Sequence, residues 1–326
     1  MISYFIGVRF SSLDRACKNA CARRRPAISA SVRRNLTNAA VFSTCNRLEI
    51  HGLADDTEAL VKAGSYVEDL LNPVPGSVRR GFSSDETYLH GLRLACGLDS
   101  EIVGEREIVR QLLCWIDDPE FPAGLRAFWH DILAAARQIR AASGLDVYSR
   151  TIADLVFEHM FSTDKWRPGP VLLVIGTGKV AGLLADRVPQ GCRLIFAARK
   201  KRPRAEQLAL ASGGSLVSFD RISQAVSLVD AVISATASPH PVLNAGMLRQ
   251  AMSVRGRPLT VYDLAVPYDI DPRAAGVPGI TLVTIDDLQK SRGVLPQELL
   301  SAVCTAERMI GEYASTRRGT AEPVGP

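Results

Sequence analysis

The sequence predicts an α/β protein in two units: a small sheet with helices, then a doubly wound parallel sheet, with a short helix near the C-terminal end. Three observations carry this. Short β-branched runs alternate with helically spaced apolar residues in both halves of the chain. A Pro/Gly cluster, Trp166-Arg167-Pro168-Gly169-Pro170, interrupts the pattern near the middle. Directly after it, the apolar run Val171-Leu172-Leu173-Val174-Ile175 enters a glycine loop, as a buried parallel strand does.

The elements follow in order. Ile2 to Val8 and Ala39 to Ser43 read as strands, and the basic segment between them reads as a helix that stops at Pro26. Arg47 to Leu53 is a further strand, so Cys45 falls on the turn between two strands. From Thr57 to Met160 the spacing is helical, through Ala59 to Leu71, Thr87 to Ala95, Ile102 to Trp115 and Leu125 to Ala142. Gly144-Leu145-Asp146 ends one long helix, and Thr151 to Phe161 forms another that leads to the linker near 162–170. After Val171–Ile175 come the loop Gly176-Thr177-Gly178-Lys179-Val180-Ala181, a helix from Gly182 to Arg187 and a strand from Arg193 to Ala197. Strands at Ala231 to Ala235, Leu259 to Leu264 and Thr281 to Ile285 complete the doubly wound sheet, and a helix from Pro296 to Tyr313 precedes a polar tail. The domain limits are 1–150, 151–292 and 293–326.

A length of 326 residues suits about two domains. The hydrophobic fraction of 47% and charged fraction of 22% are those of a globular protein rather than a disordered one. No apolar run approaches the roughly 20 residues that span a bilayer, and the N-terminus is too short for a signal segment with a cleavage site. The expectation is a cytoplasmic protein with no membrane partner. Seven cysteines lack the spacing of a disulfide framework and read as reduced thiols. Cys17 and Cys21 share a helical face without nearby histidines, so no metal site is expected. A net charge of +5 is too small for a dedicated nucleic-acid binder, and no DNA partner is expected. Arg15, Lys18, Arg23, Arg24, Arg25, Arg33 and Arg34 read first as a solvated helix face, with a phosphate-contacting patch as the alternative if the substrate is itself a nucleic acid.

Two segments carry chemistry. In Ser43-Thr44-Cys45-Asn46-Arg47-Leu48 a cysteine is flanked by hydroxyl, amide and guanidinium groups, a polar and electropositive setting that favours the reactive thiolate. A buried, inert cysteine is the competing reading. Gly176, Thr177, Gly178, Lys179, Val180 and Ala181 form a G-x-G-x-x-A loop between strand and helix. Glycines there let backbone amides approach a pyrophosphate whose charge the helix N-terminus favours, the Rossmann arrangement for dinucleotides. Where an NAD site places an acidic residue after the second strand, this chain has Ala198-Arg199-Lys200-Lys201. Arg199 and Lys200 suit a 2′-phosphate, which selects NADPH, against the reading of simple surface charge.

Taken together, these residues resemble the glutamyl-tRNA reductase family over roughly residues 1 to 300. Ser43-Thr44-Cys45-Asn46-Arg47-Leu48-Glu49 is similar to its S-T-C-N-R-x-E signature, and the segment from His90 to Ser100 to its H-L-F-x-V-A-x-G-L-D-S. Gly104-Glu105-Arg106-Glu107-Ile108 with Gln111 matches G-E-P-Q-I-x-x-Q in part. Ser234 to Val242, Asp263 to Pro272 and Ile285 to Leu288 resemble three further segments. The resemblance implies that Cys45 is the nucleophile and His90 the activity-linked histidine. It implies that Thr44, Cys45, Asn46, Arg47, Ser100, Glu105, Arg106, Glu107 and Gln111 line the substrate site, with Arg47 pairing the substrate carboxylate. The implied reaction is NADPH-dependent reduction of glutamyl-tRNA, through a Cys45 thioester, to glutamate-1-semialdehyde at the start of tetrapyrrole synthesis. Charged tRNA is then the substrate partner, and a downstream aminomutase the candidate protein partner.

The chain departs from that pattern at several points. Glu107 replaces the family's glutamine, Arg106 its proline, and His51 the tyrosine usual after the T-C-N-R strand. Gly7-Val8-Arg9-Phe10 lacks the histidine of G-I-x-H, and most of the helical dimerisation domain has no counterpart, which leaves the oligomeric state open. The alternatives are a reductase for another aminoacyl-tRNA or activated acyl donor in a specialised pathway, and a non-catalytic tRNA-binding or regulatory relative.

Overall fold

A computed structural model of the protein describes residues 1–10, 13, 15–44, 46–72, 78–162, 168–198, 202–291 and 295–320. The chain divides into two compact units, one of residues 1–150 with the segment from 294 onward, the other of residues 151–293.

The first unit runs β1 (Ile2–Arg9), α1 (Arg15–Asn35), β2 (Ala39–Ser43), β3 (Arg47–Ala54), α2 (Thr57–Leu71), β4 (Val78–Gly81), α3 (Ser84–Ala95), α4 (Glu107–Ile116), α5 (Ala123–Ser143) and α6 (Leu145–Tyr148). Its strands form an antiparallel sheet in the order β2-β3-β1-β4. Period-two alternation sends Tyr4, Ile6, Val8, Leu48 and Ile50 to one face, where Cys21, Ile28 and Val32 of α1 and Leu60, Val67 and Leu71 of α2 cover them. A second core joins α3, α4 and α5 around the fully buried Trp129.

The second unit runs α7 (Ile152–Phe161), β5 (Val171–Ile175), α8 (Lys179–Asp186), β6 (Arg193–Ala198), α9 (Arg202–Ser212), β7 (Ser215–Ser218), α10 (Ile222–Leu228), β8 (Ala231–Ser234), α11 (Ala245–Ser253), β9 (Leu259–Asp263), β10 (Ile280–Thr284) and α12 (Ile285–Ser291). All six strands are parallel, in the order β10-β9-β8-β5-β6-β7. This is the doubly wound Rossmann order, and the strand direction of travel reverses between β5 and β8. The last helix, α13 (Gln297–Thr320), belongs to the first unit, where Leu299, Ala302, Ala306 and Ile310 enter the α3–α5 core. Among the described residues no helix is long and apolar enough to cross a membrane.

Several elements differ from the sequence reading. α1 does not stop at Pro26 but continues to Asn35, because Ile28 and Val32 bury in the same core as Cys21. That burial outweighs the roughly 3 kcal/mol a proline costs inside a helix. β4 lies in a stretch whose spacing predicts helix; Val-Arg-Arg-Gly has no apolar alternation, since it is a short charged edge strand that pairs with β1. The third predicted helix starts at Glu107, not Ile102, after a loop in which Gly97 and Gly104 take left-handed φ of 74° and 78°. The units part before α7, at the 150/151 limit, and the segment near 162–170 falls within the second unit, because α7 turns Ile152, Leu155, Val156 and Met160 inward and packs on α8 and α12. The C-terminal helix is longer than the Pro296–Tyr313 reading and docks on the first unit rather than standing as a separate piece.

Candidate active site

The sheet face opposite α1 and α2 carries charge. Arg47, Glu49 and His51 alternate along β3 with Leu48 and Ile50, and are 1%, 2% and 0% exposed. Their partners on β1 are Arg9, Gly7 and Phe5. Gly7 is required here, because a Cβ at that position would sit 2.5 Å from Cγ of Glu49. α3 closes the site from above: its N-terminal Ser83 accepts from the Glu86 amide at 3.2 Å, which fixes the helix start and sets His90 over Glu49.

The buried groups form one network. Nη1 of Arg47 donates to Oε1 of Glu49 at 3.0 Å, while Oε2 of Glu49 lies 3.0 Å from Nε2 of His51 and 2.9 Å from Nε2 of His90. Phe5 stacks on His90 with ring centroids 3.8 Å apart, and Trp115 and Trp129 meet His51 edge-on. Burial alone would push the Glu49 carboxyl up, but the His90 and Arg47 charges and the two imidazole hydrogen bonds hold it well below the usual range. Burial lowers His51 from the ordinary imidazole value, against the pull of Glu49. Ligand-type atoms of Glu49, His51 and His90 lie within 4.8 Å of one another, but the Arg47 guanidinium already supplies positive charge to this carboxylate.

Asp99 extends the network. Nδ1 of His90 lies 3.9 Å from its Oδ2, and Arg9, Arg79 and Arg93 surround its carboxylate at 3.3 to 3.6 Å. Burial raises this carboxyl, and the three arginines with His90 more than offset that, so it is held below its ordinary value. The Asp99 carbonyl accepts from Arg9 and Arg47. Beneath this loop, Arg140 of α5 donates to the carbonyls of Cys96, Gly104 and Glu105 and pairs with Asp146. The loop is thereby fixed from below.

β2 ends at Ser43 and β3 begins at Arg47, with Thr44 and Asn46 described between them. The Thr44 amide donates to the Arg47 carbonyl at 3.0 Å, the Asn46 amide to the Thr44 hydroxyl at 3.1 Å, and the Phe10 amide to the Asn46 carbonyl at 2.7 Å. Cys45 lies outside the described residues. The side-chain amide of Asn46 and the hydroxyl of Ser100 are buried without a hydrogen-bond partner among the described residues.

In the second unit the glycine loop joins β5 to α8. Gly176 has φ 111°, and a Cβ there would come within 2.6 Å of the Ala235 carbonyl, whereas one on Gly178 would meet nothing within 4 Å. Gly178 caps α8 without a side-chain bond to its first-turn amides, and Ala181 is buried where helix meets strand. These residues fit the pyrophosphate of a dinucleotide: a tight turn, space beside the Gly178 backbone among the described residues, and a helix N-terminus. Thr177 and Val180 complete the loop at half-buried positions. At the end of β8, Asp269 accepts from the Ser234 and Thr236 hydroxyls at 2.8 and 2.6 Å, which fixes the strand end facing the loop. Arg199 and Lys200 lie outside the described residues.

Two family descriptions match the chain: Glutamyl-tRNAGlu reductase, N-terminal domain, over residues 6–142, and Shikimate / quinate 5-dehydrogenase over residues 166–291. A glutamyl-tRNA reductase of Methanopyrus kandleri is 30% identical over 295 residues, covering 86% of this chain and 69% of that protein. The chain belongs to the glutamyl-tRNA reductase family. Further relatives of that name, from Heliobacterium mobile and Desulforudis audaxviator, are 31% and 27% identical over 76% and 86% of this chain. The chain spans 58% and 65% of their lengths. A solved glutamyl-tRNA reductase from Methanopyrus kandleri overlays with a TM-score of 0.48 at 23% identity, over 97% of this chain and 79% of that one.

The structure places the family motifs unevenly. Arg47 and His90 meet in the buried network, and Thr44, Asn46 and Ser100 sit on the segments leading into it. Glu105 serves the loop through its backbone, its carbonyl accepting from Arg140. Glu107 opens α4 and pairs with Arg110 at 3.2 Å, and Gln111 is half-buried one turn further on. Arg106 points elsewhere: it pairs with Asp146 and lines a cleft of about 390 Å³ with Arg110, Arg137 and Arg140 over Leu113 and Leu133. Glu49, His51 and Asp99 join the site although the resemblance, which matches Glu49 and Asp99 within its motifs and marks His51 as a departure, assigns none of them a role there. The signal for the first two was present, since a period-two row of Arg, Glu and His inside an apolar strand marks one buried polar face.

Proposed function

We propose that this chain reduces an aminoacyl-tRNA to the amino aldehyde, with glutamyl-tRNA as substrate and NADPH as reductant. The observation that supports it is the juxtaposition, in a glutamyl-tRNA reductase family member, of Thr44 and Asn46 with the buried Arg47–Glu49–His90 network. A carboxylate resists hydride, so the acid must arrive activated, and the tRNA ester supplies that activation. The Cys45 thiolate attacks the ester carbonyl carbon; the C–S bond forms, the C–O bond to the ribose breaks, and the tRNA leaves as a free hydroxyl that takes up a proton. His90 is the group to hold that proton, with Glu49 behind it. Arg47 uses two donors on Glu49 and Asp99 and retains further N–H groups for a substrate carboxylate. The Asn46 amide and Ser100 hydroxyl, buried without a hydrogen-bond partner among the described residues, are polar groups available to receive substrate. When bound, the nicotinamide cofactor supplies the hydride that converts the thioester to aldehyde and frees the thiol. Arg199 and Lys200 favour its 2′-phosphate.

Glu107 in place of the family's glutamine does not by itself turn away an anionic amino acid, since its charge is met by Arg110. The product is glutamate-1-semialdehyde, an intermediate for tetrapyrrole synthesis that an aminomutase consumes. The test is aldehyde trapping from glutamyl-tRNA with NADPH or NADH. The expected result is NADPH-dependent aldehyde that is lost in Cys45→Ser. Aldehyde from another aminoacyl-tRNA in preference would reassign the substrate, and none from any aminoacyl-tRNA would overturn the reading.

A further inference from the structure

His51 has no part in the reaction as described, yet it is fully buried and spends its Nε2 on Glu49. Oε2 of Glu49 lies between two imidazole nitrogens, at 3.0 Å from His51 and 2.9 Å from His90, while Oε1 is held by Arg47 at 3.0 Å. A carboxylate facing a guanidinium is ionised and accepts only. Both imidazoles must therefore present Nε2–H to it. In its neutral form the His90 ring carries its lone pair on Nδ1, which has no hydrogen-bond partner among the described residues and lies 3.9 Å from Asp99.

We propose that His51 is a positioning residue that, through Glu49, fixes His90 as the Nε2–H tautomer with Nδ1 as its basic atom. The terminal torsion of a glutamate is soft, and Arg47 alone anchors only one oxygen. The His51 ring supplies the second anchor and is itself immobile, wedged between the edges of Trp115 and Trp129 with Phe5 stacked alongside. The depressed Glu49 carboxyl agrees with an anion shared by three donors. The charged and titratable groups facing His51 are Glu49, His90 and Arg47.

The test uses the full chain with 15N-labelled histidine, read by long-range 1H–15N correlation at pH 8, with His90 assigned by the signal missing in His90→Gln. The wild type is expected to show His90 protonated on Nε2 alone. His51→Phe, which keeps a ring and removes the donor, is expected to give mixed tautomers at His90. His51→Gln, which returns an N–H, is expected to restore one. A wild-type His90 protonated on Nδ1, or an unchanged His90 pattern in His51→Phe, overturns the proposal, and the first of these needs no variant to fold. The catalytic consequence rests on the reductase reading: kcat falls about tenfold in His51→Phe, part of the ~10²–10⁴ that general acid–base catalysis as a whole is worth. KM for aminoacyl-tRNA stays unchanged, and His51→Gln recovers most of the loss. An inactive wild type with the expected tautomers would sink the reductase reading and support the positioning role.

Discussion

Replacing Arg140 by methionine should be among the most damaging single changes in the first unit. Arg140 is 3% exposed and donates to the carbonyls of Cys96 at 2.7 Å, Gly104 at 2.9 Å and Glu105 at 3.3 Å, with Asp146 at 3.0 Å. Methionine keeps much of the volume and removes every donor. Each buried acceptor stranded from a charged donor costs about 1–3 kcal/mol, and such losses do not add fully. Three carbonyls give a net loss of about 3–5 kcal/mol, the range seen when one partner of a buried charged network is removed. Asp146 is partly solvated and adds little. The assay is urea unfolding followed by tryptophan fluorescence in a Trp166→Phe background, so that Trp115 and Trp129, both in the first unit, report it. A loss under about 1 kcal/mol would refute the claim that Arg140 holds the Cys96–Arg106 loop.

Other consequences are as direct. Gly176→Ala places a methyl 2.6 Å from the Ala235 carbonyl at φ 111°, and should lower dinucleotide affinity at least tenfold while leaving the unfolding of the first unit unchanged; calorimetric titration with NADPH reads this. Because burial lowers the His51 pKa, the unfolded chain binds a proton that the fold refuses. His51 therefore contributes stability above its ordinary value of 6.5 that is lost as pH falls below it. The urea midpoint should drop between pH 7.5 and 5.5, and His51→Phe should flatten that drop; Glu49, depressed from 4.5, adds its own loss only at lower pH. Cys96 is pushed up to about 12 by burial and should resist alkylation at pH 8, where the exposed Cys114 and Cys304 react.

Much of the second unit was legible because its signals are local. An apolar run, a glycine loop and a helix in that order determine a βα turn whatever surrounds them, and β5, β6, β8, β9 and β10 lie within a residue of where the sequence puts them. β7 was not legible: Ser215–Ser218 is a largely exposed edge strand without alternation. The same holds for β4, whose two arginines serve an edge and whose partner β1 lies some seventy residues earlier. In the site, the turn and Arg47 follow from the motif, whereas the pairing of Glu49 with His90 depends on docking α3 over a sheet, a contact across 41 residues. The role of Arg140 was hidden for a similar reason, because nothing in a helix sequence marks an arginine that serves carbonyls on a distant loop.

The measurement that bears most directly on the account is a single-turnover reaction of the full chain with labelled glutamyl-tRNA, with and without NADPH and with Cys45→Ser alongside. The account predicts a covalent glutamyl adduct on Cys45 without NADPH, conversion to aldehyde when it is added, and neither in the variant. Aldehyde formed at the wild-type rate by Cys45→Ser, or no adduct in a protein that binds NADPH, would contradict it.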